Sequence, residues 1–541
     1  MEKKVVVLCS VVLLAVMTVM GCGGSNGTTG TTAGTSAAAS GENSTEAPAA
    51  AATAKDTLVI RIQNDPGSLD YHYSTVYLMY SLRDWVTNGL LDQEYDETNS
   101  INSVISEESL ATEYIIDEDN SGILFKLREG VQFHNGTVMT SKDVKFSCNL
   151  YSDIADFSFV DFENIECIDE YTIHIPFVAP NANALYLIGV ELPIYCEEYY
   201  YEIGADQDNA DFYSTAMVGT GPYKVSGWES GDNIKFVANE NYFAGAPIIK
   251  NIICRVIYEN SVALMELQSG GIDLMTDPSW TEVNTSLNSP DIHVLDKDSV
   301  ASAQLGFNMG SKAIQDIRVR QAICYAINKA DVAVGAYDGI GKDMFTIVSS
   351  SYEFVNNYSD NWPYKYNPEK AKELLTEAGY ADGLSLTMIL GGDSNRESAA
   401  EIIGNQLSQV GITLKIESME GATVVQKMAN EIDTWDLYIR NWGRPANPYV
   451  YFEINLPESC HIDLDTDNRE TFVKLVSGFK TEMDNDARRK LWSDFQDQYL
   501  TDYLYSYPLV QMKDYTLLSG KLKGVEKVSF QTYKLKDAYF E

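Results

Sequence analysis

Histidine is scarce in this chain, with five in 541 residues, at positions 72, 134, 174, 293 and 461. None stands at a metal-ligand spacing, so metal ligation by them is disfavoured. Cysteine is also sparse, eight in all, and no two form a C-x-x-C pair. That leaves a zinc knuckle or a dithiol redox motif without support. H-E-x-x-H and Gly-rich phosphate loops are absent. A G-x-S-x-G match exists at Gly23 to Gly27, but that motif needs a strand before it and a helix after it, and this stretch supplies neither. An extracellular hydrolase is therefore the weakest function class. Positive charge is the largest deficit: 39 Lys and Arg face 78 Asp and Glu, a formal net charge of −39. Such a surface repels polyphosphate and anionic lipid. It argues against nucleic acid as a partner, and any attachment to a membrane must rest on something other than charge.

What is present begins at the N-terminus. Lys3 and Lys4 precede an apolar run from Val5 to Met20, broken only by Ser10 and Thr18, and Gly21 then precedes Cys22. Positive flank, short apolar stretch and small residue describe a secretory signal over residues 1–21. The run falls short of the roughly 20 apolar residues of a membrane-spanning helix. Val19-Met20-Gly21-Cys22 resembles a bacterial lipobox, with Met20 its unusual member. The resemblance implies an acylated Cys22 as mature N-terminus. The alternative is an ordinary signal cut near Cys22. Gly23 to Lys55 is Gly, Ser, Thr and Ala with few charges and no apolar period. Residues 22–56 are thus expected to be a lipidated cysteine and flexible linker, with a span of roughly 30 Å as a coil.

From Thr57 onward the chain reads as folded, and its length calls for two or more lobes. Thr57 to Ile62 reads as the first strand, closed by the turn residues Asp65-Pro66-Gly67-Ser68. Tyr77 to Leu91 has one apolar face and reads as a helix. Ile123 to Arg128 and Tyr171 to Ile175 alternate as half-buried strands. Thr140-Ser-Lys-Asp143 is a capping box that opens a helix. Ile248 to Ile257 is a strand candidate, and Ala263 to Leu267 a short helix stopped by Gly270-Gly271. Val319 to Ile327 carries an apolar stripe. Asn367-Pro368-Glu369 starts a helix that Gly379 ends. Leu384 to Leu390 and Ile412 to Ile416 are strands around a helix near Ala399 to Leu407. Strand and helix alternate throughout, which makes the class α/β. Cys148, Cys167, Cys196, Cys254, Cys324 and Cys460 are expected to be buried free thiols rather than disulfides.

Five segments carry a family resemblance. They are Leu124 to Gly136 with Thr140 to Phe146; Gly219-Thr-Gly-Pro-Tyr223 with Trp228 and Asn241-Tyr242; Leu267 to Asp273; Arg318 to Lys329; and Tyr366 to Ala371 through Gly379-Tyr380. Together they resemble the family 5 solute-binding proteins of ATP-driven (ABC) importers, the dipeptide, oligopeptide and nickel binder group. The resemblance implies a two-lobed, class II periplasmic-binding-protein-like fold with an extra subdomain on lobe I. Lobe I would comprise 57–88, 217–308 and 511–541, the subdomain 89–216, and lobe II 309–510. It further implies a monomer without a cofactor, at the outer face of the cell membrane, that closes on a small solute and docks on permease subunits.

Leu437-Tyr-Ile-Arg-Asn-Trp-Gly-Arg444 is the segment that best fits a binding role. Tyr438 to Asn441 reads as a strand end, where Trp442 offers a flat face and Gly443 close backbone access. In the resembled family this stretch lines the cleft, and peptide binders carry an acid three positions after the Trp. Here that position is Pro445, with Arg440 and Arg444 as the nearby charges. Guanidinium groups suit a carboxylate or other anion. The alternative is that Arg440 points away, or that an acidic neighbour neutralises either arginine. Asn441, Gly443, Asn308 at the end of Leu305-Gly-Phe-Asn, and Tyr71 and Tyr73 after the first strand complete the candidate ligand-binding set. Peptide is the default solute by resemblance, with oligosaccharide import and sensing without import as alternatives.

Overall fold

Leu58, Ile60 and Ile62 of the Thr57–Ile62 strand are buried to within 1% exposure, as strand alternation requires. The structure, a computed structural model, describes residues 55–67, 69, 78–95, 101–204, 217–339, 341–346, 348–349, 355–356, 358–442, 466–529 and 532–541. The first strand runs parallel to Asn251–Val256 and Leu274–Thr276. These belong to an 11-stranded sheet. From one edge its order is Ile412–Met419, Leu384–Gly391, Leu437–Trp442, Ile292–Phe307, Ser506–Ser519, Leu274–Thr276, Thr57–Ile62, Asn251–Val256, Asn233–Ala238 and Tyr223–Glu229. The short strand Lys342–Asp343 pairs with Ser506–Ser519 off this path.

Two strands in the middle are unusually long, Ile292–Phe307 and Ser506–Ser519, and they pair antiparallel. They join two hydrophobic cores. Leu295 and Leu518 pack against a core built on Leu58, Trp85, Phe125 and Ile252. Ala303, Leu305, Phe307, Tyr507, Leu509 and Val510 belong to a second core with Ile323, Leu374, Met388 and Trp492. The ladder between the two strands shifts register between Asp298 and Ser302, where the cores exchange. A bulge of this kind bends and twists a strand. The architecture is α/β and two-lobed, as expected. A separate four-stranded antiparallel sheet, Ala111–Ile116, Gly122–Leu127, Thr172–Pro176 and Glu166–Asp169, lies within 89–216 and shares the first core.

Local chemistry explains the helix boundaries. Thr140 caps Ser141–Leu150, its own N–H donating to Asp143 Oδ2 at 2.8 Å. Asn367 Oδ1 accepts from Lys370 N at 3.1 Å, and Pro368 opens Pro368–Glu377. The helix expected at Tyr77 to Leu91 is shorter, Leu78–Val86. The backbone after it is used instead to receive Gly219 and Gly221. A Cβ on Gly219 would stand 2.1 Å from Val86 O. Gly130 has another reason to be glycine: its φ is +75° and nothing lies within 4 Å of a Cβ there. Cys148, Cys167, Cys196, Cys254 and Cys324 are free, all buried except the half-buried Cys167; Cys460 lies outside the described residues.

His134 joins two of the five resembling segments. Its Nε2 lies 3.0 Å from Gly221 O, and its Nδ1 accepts from Gly219 N at 3.3 Å. One ring nitrogen donates and the other accepts, which is the pattern of a neutral imidazole. Burial pushes the pKa down to about 4, helped by Lys224 and opposed by the Gly221 carbonyl. In the unfolded chain the ring titrates near its ordinary value of about 6.5. The unfolded state therefore binds the extra proton as pH falls from about 6.5 towards 4, and stability falls with it. The expected loss across that window is roughly 2–3 kcal/mol. Urea unfolding at pH 7, 5.5 and 4.5 should show this slope, flattened by close to one proton in His134→Gln. Gly219→Ala should cost roughly 2–3 kcal/mol by overpacking against backbone. Gly130→Ala should cost only about 1 kcal/mol of conformational strain. Denaturant midpoints of the two variants measure the contrast.

Candidate functional site

Leu437–Trp442 is held from both sides. Met388, Ile389 and Leu390 pair with Leu437, Tyr438 and Ile439 in parallel. On the other side it runs antiparallel to the first crossing strand, from Phe307 opposite Leu437 to Ser302 opposite Trp442. The backbone of Trp442 thus ends beside the register shift where the lobes meet. The strand has two unlike faces, because successive residues point to opposite sides. Leu437 and Ile439, with Ala303, Leu305 and Phe307 opposite, enter the second core. Positions 438, 440 and 442 share the other face with Gly306, Gln304 and Ser302.

That second face combines the Tyr438 ring, part of the second core, with buried polar residues. Ser302, Gln304, Ser506 and Gln511 are all within 3% of full burial. Three of them bond among themselves and to neighbours: Gln304 Nε2 donates to Ser302 Oγ at 3.3 Å, and Gln511 Nε2 to Ser349 Oγ at 2.9 Å. Ser349 Oγ in turn donates to Ser299 O at 2.8 Å. Tyr438 lies across Gly306, where a Cβ would fall 1.9 Å from the ring. The guanidinium carbon of Arg440 lies 5.7 Å from the centre of that ring, within range of a cation–π contact. Arg440 is half-buried.

The structure places the sequence-derived candidates unevenly. Arg440, Asn441 and Trp442 are brought by their backbone to the seam between the lobes. Gly443, Arg444, Tyr71 and Tyr73 lie outside the described residues, as does Cys22. Asn308 follows the first crossing strand, Ile292–Phe307. It is fully buried, with Nδ2 donating to Ile432 O and Trp435 O, both at 2.6 Å. Its Oδ1 accepts from Gly310 N at 2.9 Å. Its amide holds the turn that delivers the Leu437–Trp442 strand.

Sequence reasoning missed Arg61. This side chain is fully buried in the first strand. Its guanidinium donates to Ile257 O at 2.8 Å, Thr276 O at 2.6 Å, Asp277 O at 3.4 Å, Tyr258 O at 3.3 Å and Asn260 Oδ1 at 2.6 Å. Burial lowers its pKa, opposed by Asp277 and Glu282. It ties together the carboxyl ends of three parallel strands, the edge where open α/β sheets bind ligands. The available signal was an arginine inside the apolar run Thr57-Leu-Val-Ile-Arg-Ile62. Just beyond, Asp65 accepts from Gly67 N at 2.8 Å, Trp228 Nε1 at 3.2 Å and Gly231 N at 2.5 Å. Burial alone would raise that carboxyl's pKa, but the backbone donors Gly231 and Gly67, with Trp228 and Ser230, hold it below the ordinary value. Among the described residues, no three His, Cys, Asp or Glu side chains are grouped to hold a metal ion. No described helix is long and apolar enough to cross a membrane.

Comparison with known proteins places this geometry. Residues 107–458 match the family model described as bacterial extracellular solute-binding proteins, family 5 middle. The glutathione-binding protein GsiB of Escherichia coli K12 is 27% identical over 393 residues, 70% of this chain and 72% of that protein. The oligopeptide-binding protein AppA of Bacillus subtilis is 24% identical over 358 residues, 62% of this chain and 66% of that one. Among solved structures, the ABC transporter substrate binding protein CtaP of Listeria monocytogenes superposes with a TM-score of 0.79 at 19% identity, covering 90% of this chain and 100% of its own. The periplasmic binding protein DppA of Helicobacter pylori, in complex with the peptide STSA, gives a TM-score of 0.72 at 24% identity, with 90% and 98% covered. The structural likeness carries the fold, and the family model, spanning well over half the chain, carries the membership. This chain belongs to the family 5 bacterial extracellular solute-binding proteins.

Proposed function

We propose that the chain captures a peptide-type solute between its two lobes and delivers it to the permease of an ABC importer. The observation that carries this is the position of Trp442, whose strand ends at the seam between the lobes. Relatives named for binding glutathione and oligopeptides supply the solute class. The solute carries a carboxylate or another anionic group that faces lobe II. The support is chemical: Pro445 stands where peptide binders of the resembled group place an acid, and Arg440 and Arg444 flank Trp442. A guanidinium meets a carboxylate by charge-assisted, often bidentate bonds. Binding is the whole of the activity, and the solute leaves unaltered.

The same reading gives Cys22 a part in the mechanism. A diacylglyceryl group on Cys22 would hold the protein at the outer face of the membrane, where one acyl chain binds marginally and two hold firmly. The Gly, Ser, Thr and Ala-rich stretch that follows would be the tether.

Mass spectrometry of protein purified without denaturation should recover a peptide-type solute, and a saccharide as native cargo would overturn the solute class. Trp442→Ala and Arg444→Ala should each weaken binding of that cargo at least tenfold, about 1.4 kcal/mol, with unchanged unfolding midpoints. Unchanged affinity in both would remove the seam as the site. The mature N-terminus should carry the mass of an acylated cysteine, and Cys22→Ser should release the protein into the medium.

A further inference from the structure

Residues 342–346 and 348–349 lie across the two long strands that connect the lobes. Lys342 and Asp343 pair antiparallel with Gln511 and Val510, and Met344 N donates to Leu509 O at 3.2 Å. The approach is close, since a Cβ on Gly341 would fall 2.0 Å from Val510 Cγ1. The segment also reaches the other crossing strand. Lys342 Nζ lies 2.6 Å from Asp298 Oδ2, and Ser349 Oγ donates to Ser299 O at 2.8 Å. Asp298 and Ser299 open the register shift that ends at Ser302. The segment is thus a strap over the bulge at which the cores exchange.

One side chain fastens the strap to the second lobe. Lys329 begins the Lys329–Ala336 helix and is 6% exposed. Its Nζ donates to Met344 O at 2.6 Å. Around it stand the rings of Trp362, Tyr507 and Phe345, with centroids at 4.2, 4.3 and 4.6 Å. Phe345 comes from the strap, Tyr507 from the crossing strand and Trp362 from the second core. Burial pushes the ammonium's pKa down to about 7, with Cys324 and Asp343 acting in the opposite direction. A cation this buried carries a desolvation cost that an apolar side chain of the same volume would avoid. Three ring faces and one carbonyl offset that cost and give in return a directional bond that apolar packing cannot supply.

We propose that Lys329 is a positioning residue for lobe closure: through the strap it confines hinge bending to Asp298–Ser302 and keeps the polar seam in register beside Trp442. The inference does not depend on which solute is bound. Hydrogen–deuterium exchange on the full chain without added solute tests it. Lys329→Met keeps the volume and removes the charge and the bond to Met344. Lys342→Ala and Ser349→Ala cut the far end of the strap and leave the ring cage intact. All three should speed exchange of the Ser299–Ser302 amides tenfold or more while the Ile317–Ala326 helix exchanges at its original rate. Acceleration spread evenly over the second lobe in Lys329→Met would make Lys329 an ordinary core residue and overturn the proposal. Should that variant not fold, the other two decide: unchanged exchange at Ser299–Ser302 in both overturns it.

Discussion

The antiparallel ladder between Ile292–Phe307 and Ser506–Ser519 is the constraint on which the rest of the molecule depends. It is the spine of the 11-stranded sheet, with strands of both cores added on either side. Both strands change their buried partners along their length, from Leu295 and Leu518 in one core to Leu305 and Val510 in the other. A regular ladder through this point would be stiff. The register shift between Asp298 and Ser302 interrupts the hydrogen bonds where bending is useful and leaves both ends paired. The buried polar residues sit beside it because Leu437–Trp442 is the next strand out, and its last residue pairs with Ser302.

Residues that look like chemistry in the sequence serve mainly to join segments. His134, disfavoured as a metal ligand by its spacing, has its two nitrogens on Gly221 O and Gly219 N. Arg61 spends its donors on neutral oxygens from two loops, 257–260 and 276–277. Asn308 plays the same part for the turn before Leu437. In each case a side chain with several polar atoms satisfies backbone groups that could not pair in a helix or sheet. That is what burial demands of irregular segments.

The α/β class, most element positions and the family were legible in the sequence, because periodicity, caps and turn residues are local signals. Asn367-Pro368 and Thr140 to Asp143 announced helix starts that the structure confirms. The long crossing strands were not legible as such. Only Leu305 to Asn308 was read from the first, and the second was not read at all. Their polar stretches, such as Asp296-Lys-Asp298 and Met512-Lys-Asp514, break the alternation that marks a half-buried strand. The buried polar seam was hidden for the same reason: Ser302, Gln304 and Gln511 look like surface residues in the sequence but are buried in the fold. The candidate site was read mainly from one strand end, and Gly443, Arg444, Tyr71 and Tyr73 of that set lie outside the described residues.

The polar character of the seam follows from what a binding protein must do. Two lobes that close on a solute must also separate, and a ligand can shift that equilibrium only by its differential affinity for the two states. An apolar seam would resist opening by roughly 25 cal/mol for each Å² exposed, a cost that grows with every side chain in the contact. Ser299, Ser302, Gln304, Ser349 and Gln511 bury little apolar surface and would exchange one hydrogen-bond partner for another if water entered. The net worth of such a bond is only about 1 kcal/mol, so the closed and open forms stay within reach of a solute's binding energy. A bulge with apolar cores on either side would allow the same sheet to be continuous through both lobes and still bend between them.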